Sequence, residues 1–270
     1  MRNRAFLLLL ATLVLPSLAL AQGEARFMTF PDINGDKILF SFEGDLYMVA
    51  KQGGIPQRIT TSPGGEFAGK FSPDGRWIAF TGSYAGTTDI YVMAIEGGTP
   101  KRLSYFPGSS MTVGWTPDSR YVVFNSYYGR SPMARDPKLY RVSIDGSMPE
   151  LLPVDRGISC SFSEDGKRML YVRKGREDNT WKRYKGGQYP DIWMADFTNG
   201  QITPVTDYVG RNTYPMWIGN TLFFASDRGA DGITNLYAMD LKSKVAKPVT
   251  SFTDFDVMWP STDKRQIVFV

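Results

Sequence analysis

The sequence predicts an all-β protein, specifically a six-bladed β-propeller whose sixth blade is incomplete in this chain. Three observations favour this fold: short β-forming runs come in groups of four, the groups repeat, and the same turn chemistry recurs within them. The turn aspartates Asp74 and Asp118 lie 44 residues apart, and Asp118 and Asp165 lie 47 apart. A period in the forties with four strands per repeat is typical of propeller blades.

The clearest repeat lies at residues 66–104. A first strand ends at Phe71, and Ser-Pro-Asp-Gly at 72–75 then predicts a tight turn, because Pro73 presets its backbone torsion and Gly75 tolerates a positive φ. Residues 77–81 form an apolar run too short for a helix, residues 89–94 are rich in β-formers, and residues 101–104 close the unit.

The same pattern divides residues 22–270 into successive blades. The predicted blades are residues 27–61, 66–104, 111–153, 158–206, 213–250 and 256–270, the last incomplete. A β-helix would need a shorter rung, and a β-sandwich would not repeat its turn chemistry. Because ending at Val270 leaves an unpaired sheet edge in the sixth blade, we expect this chain to be a fragment of a longer protein.

The N-terminus predicts a signal peptide at residues 1–21. It has two arginines, an apolar run at 5–15 that is too short to span a bilayer comfortably, and Ala-Leu-Ala at 19–21 as a cleavage site. We therefore expect an exported protein, periplasmic or secreted, with no membrane association after cleavage. Removing Arg2 and Arg4 lowers the formal charge from +4 to +2, so the balance does not indicate nucleic-acid binding.

The composition excludes several kinds of chemistry within this chain. There is no histidine, which removes a Ser-His-Asp triad, a Cys-His dyad and most zinc sites. No phosphate loop or dinucleotide motif occurs, so no cofactor is expected. The single cysteine, Cys160, falls in a predicted strand and is expected to be a buried, inert thiol. Residues 32–43 place acidic side chains as in a calcium loop, but Lys37 occupies the position that needs glycine, so an Asn34-Gly35 hairpin turn is favoured. We expect no catalytic and no metal-binding residues here.

Two insertions break the repeat between the second and third strands of their blades, at residues 126–135 and 174–187. Long connections that a fold does not need are where binding residues are often found, although a solvated loop packed on its neighbour is an equally good interpretation. The second insertion mixes aromatic residues with five cations. The candidate residues for substrate gating are Arg130, Arg176, Trp181, Arg183, Tyr184 and Lys185.

The chain resembles the N-terminal β-propeller of tricorn-type proteases over essentially all of residues 30–270. The Ser-Pro-Asp-Gly and Gly-Gly-x-Pro-x-Arg-Leu repeats also occur in TolB-like and dipeptidyl-peptidase-like propellers. Three segments are more specific: Glu-Gly-Asp-Leu-Tyr at 43–47, Thr-Trp-Lys-Arg-Tyr-Lys-Gly-Gly at 180–187 with Asp-Ile-Trp at 191–193, and Asn-Thr-Tyr-Pro-Met-Trp-Ile-Gly at 212–219.

This resemblance implies a six-bladed propeller followed by a seven-bladed one and a PDZ-bearing serine peptidase domain, in a large homo-oligomer that acts on oligopeptides. The propeller would gate and channel peptides. The family's best-known members are cytosolic, so an exported form would be a departure. Two alternatives remain open: a non-catalytic, protein-binding propeller of the TolB type, and the propeller of a prolyl-oligopeptidase-like enzyme, whose hydrolase domain would follow with a Gly-x-Ser-x-Gly motif.

Overall fold

A computed structural model describes residues 27–131, 133–175, 177 and 183–270, and it shows an all-β propeller. Five blades are four-stranded antiparallel sheets, and the sixth is a two-stranded sheet near the C-terminus. The predicted signal peptide, residues 1–21, lies outside the described residues. Within the described part of the chain, no helix has the length and apolar character needed to cross a membrane.

The strands follow the order of the sequence, four to a blade. Blades 1 to 3 comprise β1 (Thr29–Asn34), β2 (Lys37–Phe42), β3 (Asp45–Ala50) and β4 (Gln57–Arg58); β5 (Glu66–Phe71), β6 (Trp77–Gly82), β7 (Asp89–Ala94) and β8 (Lys101–Arg102); and β9 (Ser110–Trp115), β10 (Tyr121–Ser126), β11 (Lys138–Ser143) and β12 (Glu150–Leu151). Blades 4 to 6 comprise β13 (Cys160–Phe162), β14 (Arg168–Val172), β15 (Ile192–Asp196) and β16 (Ile202–Pro204); β17 (Asn212–Ile218), β18 (Thr221–Ser226), β19 (Asn235–Asp240) and β20 (Ala246–Pro248); and β21 (Ser261–Thr262) and β22 (Ile267–Val268).

Each blade is a simple meander, because neighbouring strands in its sheet are also consecutive in sequence. The first strand of each blade lies innermost, around the propeller axis. Turns between first and second strands lie on one face, which we call the turn face. The connections between second and third strands, including the described residues of both insertions, lie on the opposite face, which we call the loop face.

The turn between first and second strands is built around an aspartate. In blade 2 the Ser72 hydroxyl donates to Asp74 Oδ1 at 2.6 Å, and the Arg76 N–H donates to the same oxygen at 3.2 Å. Equivalent bonds form around Asp118 and Asp165 in blades 3 and 4. Hydrogen bonds from the Ser163 hydroxyl and the Lys167 N–H hold the pKa of Asp165 below its usual value. The repeated turn aspartates are therefore structural.

The first hairpin of blade 1 differs by one residue from the turn expected from the sequence. Asn34 is the last residue of β1 and pairs with Lys37, so Gly35 and Asp36 form the turn, with Gly35 at φ +62°. The Asn34 side chain is used elsewhere: its amide donates to the Ser72 carbonyl of blade 2 at 3.1 Å. The expected Asn34-Gly35 turn is thus shifted, because Asn34 serves the contact between blades.

The aspartates that begin third strands fasten the outer strand of their blades. Arg102 contacts Asp89 at 2.7 Å, and Ser104 donates to the same carboxylate at 3.1 Å while accepting from the Ile90 N–H. Blade 1 repeats the arrangement with Asp45, Arg58 and Thr60. These clamps join residues about 15 positions apart and hold short fourth strands that have only two or three residues each.

Most of the apolar core lies between blades rather than within them. Ile90 and Val92 of blade 2 pack with Trp115, Val122 and Phe124 of blade 3, all at most 9% exposed. A four-stranded sheet has two faces, and stacking the blades around a ring covers both. Equivalent clusters join the other neighbours: blades 1 and 2 through Leu39, Leu46, Ile78 and Phe80; blades 3 and 4 through Val123, Leu139, Met169 and Tyr171; blades 4 and 5 through Leu170, Val172, Leu222 and Phe224.

The ring closes between blades 6 and 1 through polar contacts. The Gly35 N–H donates to Asp263 Oδ2 at 3.1 Å, Lys51 Nζ donates to Gln266 Oε1 at 2.6 Å, and Gln266 Nε2 donates to the Gly35 carbonyl at 2.9 Å. We call this contact the closing seam. It places the two-stranded blade 6 between blades 5 and 1, where Phe269 and Ile267 also pack on Met216 and Leu236 of blade 5.

Candidate functional site: the central cavity

The inner strands surround a cavity of about 710 Å³ on the propeller axis, which we call the central cavity. Its lining extends from Tyr127, Pro137 and Gly175 on the loop face to Pro73 and Lys264 on the turn face. It therefore follows the length of the six-residue inner strands, roughly 20 Å at the usual rise per residue.

One side of the cavity is lined by four aromatic side chains, Phe30, Phe67, Tyr214 and Trp259, which we call the aromatic wall. They come from the neighbouring blades 5, 6, 1 and 2. The Phe30 ring lies 5.0 Å from that of Trp259 and 5.9 Å from that of Phe67, between ring centroids. Such a wall offers apolar surface that can pack against CH groups of a ligand.

Backbone bulges shape this wall. Phe30, Tyr214 and Trp259 have φ of +49°, +53° and +47°, each followed by proline, and Ala68 of blade 2 has φ +52°. The pairing register shifts at the bulges of β1, β5 and β17. Left-handed φ at residues other than glycine costs roughly 1–3 kcal/mol each and tends to occur at functional sites. An aromatic residue followed by proline recurs at these three positions, and this pattern is the sequence signal that could have predicted the wall.

The opposite side of the cavity is formed by blades 3 and 4. Its lining includes the small residues Ser110, Thr112, Gly114, Ser159 and Cys160, together with larger side chains such as Met111 and Trp115. A Cβ built on Gly114 meets nothing within 4 Å, so the cavity has free space directly beside this glycine. The aromatic wall thus lies across the cavity from a side on which small residues leave free space.

A charged cluster ties blades 6, 1 and 2 together at the cavity. Lys70 Nζ lies 3.2 Å from Asp32 Oδ1 and donates to Ser261 Oγ at 2.9 Å, and the Ser261 hydroxyl donates to Asp32 Oδ1. Asp32 Oδ2 accepts from the Phe71 N–H at 2.7 Å. Because the lysine is ion-paired and the serine proton is directed at the carboxylate, this cluster holds the blades and is not arranged as a nucleophile with its base.

The second insertion reaches the cavity through Gly175 and Glu177. Glu177 Oε1 accepts from the Tyr214 N–H at 3.0 Å and from the Ser159 hydroxyl, so it joins blades 4 and 5 beside the Tyr214 bulge. An acidic residue in a strongly cationic insertion was the available sequence signal for this contact.

The four described gating candidates, Arg130, Arg183, Tyr184 and Lys185, lie on the loop face and not in the cavity lining. The Arg183 guanidinium donates to the Asp231 carbonyl in the corresponding loop of blade 5, and its backbone has φ +58°. Tyr184 and Arg130 are partly buried and Lys185 is exposed. Arg176 and Trp181 lie outside the described residues. A contact of any of these side chains with substrate stays a prediction.

Cys160 lines the cavity and is half-buried, not buried as expected, because the first strand of its blade borders the cavity. Desolvation still raises the pKa of its thiol far above the usual value, so the reactive thiolate is disfavoured. Among the described residues, no group of three or more Cys, Asp or Glu side chains is placed to hold a metal ion. The Asp32 carboxylate, at the first position of the possible calcium loop, instead accepts hydrogen bonds from Lys70, Ser261 and the Phe71 N–H.

The fold and the axial cavity define the class: a β-propeller with five four-stranded blades, a two-stranded sixth blade, and a central cavity along its inner strands. The family model of the tricorn protease N-terminal β-propeller domain matches residues 25–270. This chain belongs to that family.

Individual relatives agree with this assignment. The chain is 30% identical over 249 residues to a tricorn protease homolog of Saccharolobus solfataricus, covering 91% of this chain and 23% of the relative. The crystal structure of the tricorn protease superposes with a TM-score of 0.78 at 30% identity, over 90% of this chain and 24% of that one. The Tol-Pal system protein TolB of Francisella tularensis is 28% identical over 128 residues, 44% of this chain and 27% of TolB. The chain thus spans about a quarter of the length of the tricorn relatives.

Proposed function

We propose that this chain is the substrate-gating propeller of a tricorn-like serine peptidase and that oligopeptides pass through its central cavity. The observation that carries the proposal is the central cavity itself. Its volume of about 710 Å³ lies within the usual range of ligand sites, roughly 300–1,000 Å³. Spread over roughly 20 Å, this volume suits one extended chain of about six residues and excludes folded protein.

The lining suits an extended peptide whose sequence varies. The aromatic wall offers apolar surface to side chains of many shapes, and the small residues Ser110, Thr112 and Ser159 line the cavity across from it, in blades 3 and 4. Described residues supply no nucleophile with a base, so the proposal places hydrolysis in parts of the protein that follow this chain. It includes export, which rests on the pattern at residues 1–21, and a homo-oligomeric full-length protein.

Photocrosslinking tests passage through the cavity. Met111 and Met216 line it, whereas Met133 and Met148 are 88% and 81% exposed on the outside. A hexapeptide carrying a benzophenone side chain, which reacts preferentially beside methionine sulfur, is irradiated with the protein expressed from its full reading frame. Crosslinks at Met111 and Met216 are expected. Crosslinks confined to Met133 and Met148 would contradict the proposal.

A blocking variant gives a second test of the same function. Gly114→Phe directs a ring into the free space beside that glycine, so we expect slower peptide turnover and fewer crosslinks at Met111 and Met216. Thr203→Phe, on the exposed outer strand of blade 4, is the matched control and should leave both unchanged. Equal turnover in the two variants would show that peptides do not use the cavity.

A protein-binding role of the TolB type is the second candidate, favoured by the match to TolB over 44% of this chain. A protein-binding propeller would bind its partner on a face and would not need the cavity to be open. Gly114→Phe separates the two functions, because it should leave binding to a face intact.

A further inference from the structure

The turn face has one position where glycine is common and where blade 6 carries a long, charged side chain. Directly after the turn aspartate, the backbone is left-handed in four blades: Gly75 has φ +71°, Ser119 +59°, Gly166 +68° and Lys264 +71°. Blades 1 and 5 have Gly35 and Gly219 at their turns, at +62° and +57°. Lysine disfavours this conformation because its Cβ crowds the backbone. Blade 6 therefore keeps a strained lysine where most blades have glycine.

The side chain at this position extends toward the preceding blade. A Cβ on Gly75 would meet Asn34 of blade 1, and Ser119 Oγ accepts from the Asp74 N–H of blade 2 at 3.0 Å. Lys264 extends further than either. Its Nζ lies 3.5 Å from the Phe162 carbonyl in blade 4, beyond blade 5, whose turn is only two residues long. The side chain thus bridges the edge of the central cavity on the turn face.

The Lys264 ammonium lies at this edge, and few acidic groups lie close enough to compensate its positive charge. It lines the central cavity, and no ion pair within 4.0 Å in the described part of the chain involves it. Burial lowers the pKa of Lys264, and Glu164 opposes that shift. Lys70, the other lysine of the lining, is already paired with Asp32. A partly desolvated ammonium with one long hydrogen bond is a favourable partner for an incoming carboxylate.

We propose that Lys264 binds a carboxylate of the peptide in the central cavity at its turn-face end, and so selects peptides that carry a negative charge at that point. This inference rests on the proposed passage of peptides. The carboxylate can be the C-terminus of the peptide or an Asp or Glu side chain, and both present the same anion to the ammonium. The strained backbone at Lys264 is kept because the side chain serves this contact.

The experiment measures the affinity of the full-reading-frame protein for three forms of one fluorescent hexapeptide containing a single Glu: the free acid, the C-terminal amide, and the form with Gln in place of Glu. Fluorescence anisotropy at low temperature limits turnover. We expect either amidation or the Glu-to-Gln change to weaken binding about tenfold, as loss of a charge-assisted hydrogen bond does, and the weaker form identifies the source of the carboxylate.

The variant Lys264→Met should bind all three peptides equally, whereas Lys264→Arg should restore discrimination. Lys247→Met, which removes the same charge from an exposed site on the outer strand of blade 5, is the matched control. Discrimination retained in Lys264→Met, or absent in the unmodified protein, would overturn the assignment to Lys264. If crosslinks to Met111 and Met216 form in that case, the proposed passage of peptides stands and only this inference fails.

Discussion

The contact between blades 2 and 3 and the closing seam between blades 6 and 1 perform the same task with different chemistry. The first buries Ile90, Val122 and Phe124 completely. Apart from the Phe30–Trp259 ring contact, the second relies on hydrogen bonds and one charged cluster, and several of these bonds are exposed. Burying a large apolar side chain contributes roughly 1.5–3 kcal/mol, whereas a typical hydrogen bond contributes a net 0.5–1.5 kcal/mol.

This difference indicates where the ring opens first. An apolar contact between blades loses its stabilisation only when the two sheets separate, which exposes large areas to water. The closing seam can open by exchanging protein hydrogen bonds for bonds to water. We therefore expect blade 6 to separate from blade 1 at a lower free energy than blade 3 separates from blade 2.

The largest expected effect comes from the contact between blades 2 and 3. Phe124 is fully buried and packs on Phe106 and Tyr140, so Phe124→Ala should lower the free energy of unfolding by about 3–5 kcal/mol through lost burial and the cavity left behind. Urea denaturation, monitored by tryptophan fluorescence, measures this free energy of unfolding. A loss below about 1 kcal/mol would show that this contact does not dominate stability.

At the closing seam, Asp32→Ala should cost about 3 kcal/mol. It leaves Lys70, whose side chain is 19% exposed, without its carboxylate and leaves the buried Phe71 N–H without an acceptor. Hydrogen exchange should become faster in β1 and in residues 261–268 while β10 is unchanged. Asp32→Asn, which keeps an acceptor for Phe71, should cost less. Uniform acceleration across all blades would contradict a locally opening seam.

The sequence predicted the propeller well, because the blade is a local unit with its own period and turn chemistry. The aspartates at the turns and third-strand starts had structural roles, as expected from their repetition. The sequence could not show which residues face the axis. The aromatic wall depends on bulges at Phe30, Tyr214 and Trp259, and a bulge changes which side chains of a strand point to each side. The Asp32–Lys70–Ser261 cluster was also hidden, because it joins residues up to 229 positions apart.

The contact between blades 1 and 2 combines the two chemistries, since Glu66 is fully buried beside an apolar cluster. Burial raises the pKa of Glu66 above 4.5, and the nearby Asp45 carboxylate adds to this shift. The folded protein therefore holds this proton to a higher pH than the unfolded chain does. The stability that protonated Glu66 contributes is complete below about pH 4.5 and is lost as the pH rises through the raised folded pKa.

Glu66→Gln should remove this pH dependence. The variant and the unmodified protein should have similar stability near pH 4, and the variant should be the more stable at pH 8, because Gln carries no charge into the buried site. Urea denaturation at both pH values measures the difference. Asp165→Asn is the contrasting control: the pKa of Asp165 is lowered, so that carboxylate stabilises the fold above about pH 3.8 and its loss should destabilise at pH 8. A Glu66→Gln effect that does not change with pH would contradict a buried, titrating carboxyl.

The smallest expected effect lies beside the closing seam and has the opposite sign. Lys264→Gly should raise the free energy of unfolding by about 1 kcal/mol, because glycine adopts φ +71° without the crowding that lysine has there. The converse change, Gly166→Lys, places the same strain in blade 4 and should lower stability by a similar amount. Thermal unfolding measures the change in stability of both variants.

If Lys264→Gly instead destabilises the protein, the lysine stem contributes more to packing on blade 5 than its backbone strain costs. If it stabilises the fold and also abolishes discrimination between charged and uncharged peptides, the lysine is kept for binding at the expense of stability.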